Sequence, residues 1–170
     1  MLSLHLVVPS GATGSIVGSQ RTFERSRPPP GTPQASVDAA FIGLVRRYRA
    51  SGGLARKHEV TDTLQRRQGS PVGFLDQCIA RRQVFAFDWQ SITWLPRFQF
   101  PFTGPSPLPS MTLVMEAMDP ALDGWGCAHW FASPHPALDG RAPADVIAQD
   151  FRAVIRAAGS HRDPGVVEAL

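Results

Sequence analysis

Lysine is nearly absent from this chain: Lys57 stands alone, and every other side chain that carries a full positive charge at neutral pH is arginine. Positive charge is therefore carried by guanidinium groups, which suit bidentate contacts to phosphate and carboxylate. A GC-rich coding sequence would give the same bias without a functional cause. Cysteine is also scarce. Cys78 and Cys127 lie far apart and neither belongs to a CxxC pair, which removes the usual thioredoxin-type and zinc-ribbon motifs. Two buried free thiols in a reducing compartment are expected, with a single disulfide as the alternative. No apolar run approaches the roughly 18 residues that a membrane-spanning helix needs. The opening MLSLHLVVPSGATGS has no positive residue before its short apolar stretch, which ends at Pro9. It makes a poor signal peptide, so a cytoplasmic protein with no membrane partner is expected.

Catalytic signatures are missing as well. There is no Ser-His-Asp spacing, nucleophile elbow, phosphate-binding loop or dinucleotide fingerprint, and Gly11-Ala12-Thr13-Gly14-Ser15 lacks the lysine of a phosphate loop. Cys127, His129, His135 and Asp139 are ligand-type side chains close in sequence. Cys127 and His129 stand two apart on an expected helix, so they diverge and chelate one ion poorly. The expectation is a non-enzyme with no catalytic residue, no metal and no cofactor.

What is present fits one ordinary domain or two small units. The chain has 170 residues, 43% of them hydrophobic, with 16 prolines and 15 glycines. Charge is uneven. Arg46 to Arg82 holds nine Arg or Lys against Glu59, Asp62 and Asp76, a balance of +6, whereas Ser110 to Leu170 holds four Arg against eight acids, a balance of −4. The first stretch suits a polyanion and the second a basic or neutral partner.

Residues 1–34 are expected to form a disordered basic arm carrying Arg21, Arg25 and Arg27. Val37, Phe41, Leu44, Val45 and Tyr48 mark a first helix, with Ser36 as its cap and Ser51-Gly52-Gly53 as its end. A second helix is expected from Leu54 to Gln68. A third, opened by Ser70-Pro71, runs to Arg82 and buries Val72, Leu75, Cys78 and Ile79. Val84–Phe87 and Ile92–Leu95 read as a β-hairpin turning at Asp88–Ser91, and Arg97–Phe100 continues extended. Residues 101–109 are a proline-rich linker. A C-terminal helical unit follows over 110–158, with helices from Ser110, over Ala121–Phe131, and over Ala142–Ala158 as one helix or a bent pair. Residues 159–170 are a tail. The expected fold class is mostly α: a helix–turn–helix, a small β-hairpin and a C-terminal helical unit. The unit over 35–100 is taken as distinct from that over 110–158.

The strongest local pattern is Trp130-Phe131-Ala132-Ser133-Pro134-His135-Pro136-Ala137-Leu138-Asp139-Gly140-Arg141-Ala142-Pro143. It reads as a helix ending in aromatics, a proline-pinned corner, a turn in which Gly140 supplies a positive φ, and a new helix near Pro143. This stretch, with Val84–Phe87 and Leu95–Phe100, resembles the toxin-binding domain of the Xre/MbcA/ParS antitoxins over roughly residues 80–158. Its Asp-Gly-Trp and Phe-Gln-Phe elements also resemble those of a bacterial family of unassigned function. Trp130, Pro134, Leu138, Gly140, Arg141 and Pro143 match the antitoxin motif. The resemblance implies a protein toxin of the RES type as partner, blocked sterically, with Trp130 and Leu138 as scaffold and Arg141 at the surface. Departures are Phe131 where leucine is usual, the Ser133-Pro134-His135 corner, an unmatched ending after Ala158, and the lack of a full Xre domain in the N-terminal half.

The helix–turn–helix with its hairpin as a wing points to operator DNA as a second partner. Gln77, Arg81 and Arg82 on the third helix, supported by Arg66 and Arg67, supply donors for base edges and cations for phosphates. The alternative function is a DNA-binding regulator with no toxin partner, whose C-terminal unit forms a homodimer.

Overall fold

Four apolar residues at helical spacing begin the described chain. In the computed structural model, which describes residues 34–101 and 106–160, helix α1 (Gln34–Arg47) turns Val37, Phe41 and Leu44 inward, and Tyr48 is fully buried just beyond it. This is the one-sided stripe that a core-facing helix requires. Val45, expected in the stripe, is 44% exposed. The described helix begins before Ser36, which lies within it and does not cap it. Residues 1–33, 102–105 and 161–170, with the expected basic arm of Arg21, Arg25 and Arg27, lie outside the described residues.

The second element departs from expectation at its start. Leu54–Arg56 is strand β1, and helix α2 begins only at Lys57 and runs to Gln68. Gly52 and Gly53 take φ of 99° and 80°, and the Gly53 N–H donates to the Tyr48 carbonyl at 2.7 Å. That tight left-handed turn sends the next three residues out extended. At the start of α2 the Glu59 carboxylate accepts the Arg56 N–H at 3.1 Å, satisfying a donor that the helix itself leaves free.

Helix α3 (Phe74–Ala80) is shorter than the expected span from Pro71 to Arg82. Pro71 and Val72 belong to the preceding turn, and Val72 is 88% exposed where burial was expected. Strands β2 (Phe87–Trp89) and β3 (Ile92–Pro96) form the hairpin. The register pairs Trp89 with Ile92, so the turn narrows to Gln90 and Ser91, both with positive φ, the two-residue geometry that matches strand twist. β3 is the central strand, with β1 on one side and β2 on the other, all antiparallel. Arg97–Gln99 then closes into a 3-10 turn instead of continuing extended.

In the C-terminal half, Pro109 occupies the first turn of α4 (Pro109–Ala117), placing Leu108 rather than Ser110 at the cap position. Helix α5 (Gly124–Ala132) starts later than expected because Asp123 caps it, accepting the Gly126 N–H at 2.7 Å. The last expected helix is a bent pair, α6 (Pro143–Val146) and α7 (Phe151–Ser160), and Asp150 accepts the Ala153 N–H at 2.9 Å at the restart. Among the described residues the chain is thus mostly helical, with seven helices and one small sheet.

Burial divides the molecule in a way the linker does not. The main core joins Phe41, Tyr48 and Phe87 from the first half with Met111, Phe131 and Val154 from the second. A smaller core of Leu64, Leu75, Cys78, Val84 and Leu95 sits under the helix–turn–helix. The main core therefore runs across the 101–109 stretch, and α1 and the hairpin share it with the C-terminal helices.

Candidate functional site

The motif corner is built at the end of α5. Phe131 is buried against Phe85 and Phe98, with ring centroids 5.2 Å away in each case, which fixes where the helix stops. Trp130 is half-buried, lying edge-on to Phe131 at 4.8 Å and to His135 at 5.9 Å. Beyond Ser133 the backbone folds on itself. His135 N–H donates to the Arg141 carbonyl at 3.1 Å, and the His135 carbonyl accepts Leu138 N–H at 3.0 Å and Gly140 N–H at 3.1 Å. Asp139 and Gly140 hold φ of 55° and 74°. The left-handed turn expected at Gly140 is present, extended one residue earlier onto an aspartate, a residue that tolerates it.

Two motif residues pin this corner from beneath. Leu138 is 2% exposed in the main core, and Pro143 is buried at the start of α6. Pro134, Asp139, Gly140 and Arg141 face solvent. Among the described residues none pairs with the Arg141 guanidinium, so a cation stands on a rigid, internally bonded platform.

The groups behind the corner have shifted acidities. Burial, then nearby Cys127 and Asp145, raises the Tyr48 phenol well above its ordinary value. Its hydroxyl donates to the Ala128 carbonyl at 2.7 Å. Burial in the main core also pushes the Cys127 thiol up to about 11. Burial, with Arg47 second, lowers the His129 pKa. Both cysteines are free and buried, and no cluster of three metal-ligating side chains occurs among the described residues.

The five residues expected on a DNA-facing surface separate. Gln77 and Arg81 are exposed and four apart at the end of α3, hence on one face. Arg66 is exposed on α2 and paired with Asp62 at 3.4 Å. The Arg67 side chain lies outside the described residues. Arg82 is turned elsewhere. It follows the end of α3 with φ of 53°, and its guanidinium donates to the Pro120 carbonyl at 3.1 Å, with longer contacts to the carbonyls of Asp119 and Leu122. The left-handed residue swings the side chain toward the carbonyl-rich corner after α4, where a cation is favoured. Arg82 thus ties the helix pair to the C-terminal helices. Beside the face of Gln77 and Arg81, α3 also carries an acid, Asp76, which pairs with Lys57.

Gln99 had no role in the expected site, yet it is the buried polar residue on which the corner's strand depends. Its Oε1 accepts the Phe85 N–H at 2.8 Å, and its Nε2 donates to the carbonyls of Phe85 at 3.0 Å and Pro96 at 3.2 Å. A side chain stands in for a neighbouring strand at Phe85, and of the expected strand Val84–Phe87 only Phe87 lies in a strand, β2 being Phe87–Trp89. The Phe-Gln-Phe triplet was the available signal, because a polar residue between two aromatics points to a satisfied amide inside a core.

The chain matches no protein-family model, no curated protein and no solved structure.

Proposed function

We propose that this chain is an antitoxin-like binding protein whose C-terminal helices hold a protein toxin, of the RES type by resemblance, and neutralise it by covering its working surface. The observation that supports the reading is the corner from Ser133 to Pro143. It is closed by its own backbone hydrogen bonds, anchored by Leu138 and Pro143, and offers the Arg141 guanidinium without a described partner. A preorganised cation on a rigid turn contributes to binding without a large ordering cost. On this reading inhibition is steric and no residue of the chain has a catalytic role. The test is co-purification of the tagged chain with co-expressed products of its chromosomal neighbours, comparing wild type with Arg141→Glu. A stoichiometric partner that is lost on substitution is expected; a partner retained equally by both forms would move the interface away from this corner.

A second reading is a DNA-binding regulator without a toxin, for which the C-terminal helices mediate a homodimer. It is favoured by the placement of α2 and α3 beside a three-stranded sheet, with Arg66, Gln77 and Arg81 exposed. This reading expects salt-dependent binding to the chain's own promoter, with weaker affinity in Arg81→Ala and a shallower salt slope. Equal affinity for wild type and Arg81→Ala would exclude α3 as the contacting element.

A further inference from the structure

The inner face of α1 packs in the main core, but its outer face is not the polar surface that a solvated helix carries. Ile42 and Val45 are 50% and 44% exposed, two of the four large hydrophobic side chains left exposed among the described residues. Ile42, Val45 and Arg46 stand three and four residues apart from the first, hence on one face, and Arg49 lies in the turn that ends the helix. The neighbouring Phe41 ring meets the half-buried Trp94 ring at 5.1 Å, and the Arg56 guanidinium lies over that same indole at 5.5 Å.

The charge here has one dominant sign. Arg46, Arg49 and Arg56 are exposed, and among the described residues no carboxylate pairs with them. Arg47, in the last turn of α1, adds a fourth guanidinium and reaches the Ser133 hydroxyl at 3.2 Å. Two acids stand close by in sequence, and both are occupied. Asp38, the one acid of α1, accepts the Trp89 indole at 2.9 Å and the Gln34 amide at 2.8 Å, while Glu59 accepts the Arg56 N–H. Strands β1 and β3 carry no acid. Four guanidinium groups against two engaged carboxylates leave an apolar strip with a positive border.

We propose that this face docks an acidic amphipathic helix of a partner protein, its apolar side chains on Ile42 and Val45 and its carboxylates on Arg46 and Arg49. Guanidinium groups bind carboxylates bidentately, and the apolar strip supplies the dry centre that such a contact needs. Nucleic acid would satisfy the arginines but leave Ile42 and Val45 uncovered. A second copy brings the same cations to the contact, and residues 1–33 hold three arginines against the single acid Glu24, so neither complements the face. The inference does not rest on the toxin reading of the corner around Arg141.

The test uses the full chain and a fluorescein-labelled peptide of roughly 18 residues, about five helical turns, with leucine along one face and glutamate on both flanks. In its counterpart every glutamate is lysine. Saturable binding of the glutamate peptide is expected, at least about tenfold tighter than that of the lysine peptide. Arg46→Glu combined with Arg49→Glu inverts the preference. Ile42→Ser combined with Val45→Ser weakens the glutamate peptide at least about fivefold and keeps the preference. Arg141→Glu leaves both affinities as in wild type, and far-UV circular dichroism checks that every variant keeps the native helix content. Equal affinity for the two peptides, a preference that survives the charge reversal, or an equal loss in Arg141→Glu would each overturn the proposal. So would duplex DNA bound more tightly than the peptide and lost on charge reversal, or a dimer in sedimentation velocity that the serine pair abolishes.

Discussion

The two hydrophobic cores are built on different principles. The main core is dense with large rings and long side chains drawn from both ends of the described chain: Phe41 stacks on Trp89 at 3.8 Å, Phe87 tilts on Trp125 at 4.9 Å, and Phe131 lies between Phe85 and Phe98. Two of its indoles are tied down, Trp89 donating to Asp38 at 2.9 Å and Trp125 to the Asp88 carbonyl at 3.0 Å, whereas the buried Trp94 and Trp130 Nε1 have no partner among the described residues. The smaller core holds five buried residues, none of them aromatic. It is closed mainly by contacts among near neighbours in sequence, with Leu95 of the central strand as its distant member. Stability scales with apolar area removed from water, so the helix–turn–helix is the weaker part of the molecule and the corner around Arg141 rests on the stronger. A surface that must stay preorganised for a protein partner benefits from the second situation.

The largest expected effect breaks the main core. Phe131→Ala is expected to cost about 3–5 kcal/mol, read from urea unfolding followed by circular dichroism. It should speed amide exchange throughout the described helices; a loss confined to α5 would mean that the main core is several independent pieces.

Gln99→Leu comes next, at about 3 kcal/mol, because it strands the buried N–H and carbonyl of Phe85, and each such orphan costs roughly 1–3 kcal/mol. A cost below about 1 kcal/mol would show that Phe85 finds other partners.

Leu75→Ala sharpens the comparison. Its expected cost is about 2–3 kcal/mol, near the low end for such truncations, and amide exchange should quicken in α2 and α3 while α7 changes little. Equal acceleration in α7 would make the two cores one cooperative unit.

The smallest effect is acid sensitivity at His129. Its pKa is lowered in the folded protein by burial and by Arg47. The unfolded chain therefore takes up the proton first as pH falls, and stability declines as pH drops through the ordinary histidine value, about 6.5, levelling off below the folded one. The residue is largely exposed although its ring lies over Trp125 at 5.9 Å, so the slope is shallow. Replacing His129 with Gln should flatten the decline between about pH 7 and pH 6; an unchanged slope would assign it to other groups.

Much of the main core was legible because it follows local rules. The stripe Val37, Phe41, Leu44 and Tyr48 announces α1, and Gly140 announces its own left-handed turn. The elements that escaped depend on partners far away in sequence. Leu54–Arg56 is too short to show alternation, and it becomes a strand because Trp94–Pro96, some forty residues on, pairs with it. The direction of Arg82 is set by the carbonyls of Asp119 to Leu122, which no pattern near Arg82 reveals. Val72 shows the opposite failure: a hydrophobic residue in a helical phase implies burial, but the turn from Gly69 to Gly73 holds it outside. Charge counting located the basic half, yet it could not tell a free arginine from one occupied with backbone carbonyls.

The placement of the tryptophans has a spectroscopic consequence. Trp89, Trp94, Trp125 and Trp130 all pack in or against the main core, as does the single tyrosine, Tyr48. The smaller core contains neither residue type. Intrinsic near-ultraviolet fluorescence is therefore a reporter of one core alone. Opening of the helix–turn–helix should leave most of that emission unchanged, with Trp94, under Arg56 at the start of α2, as the exception.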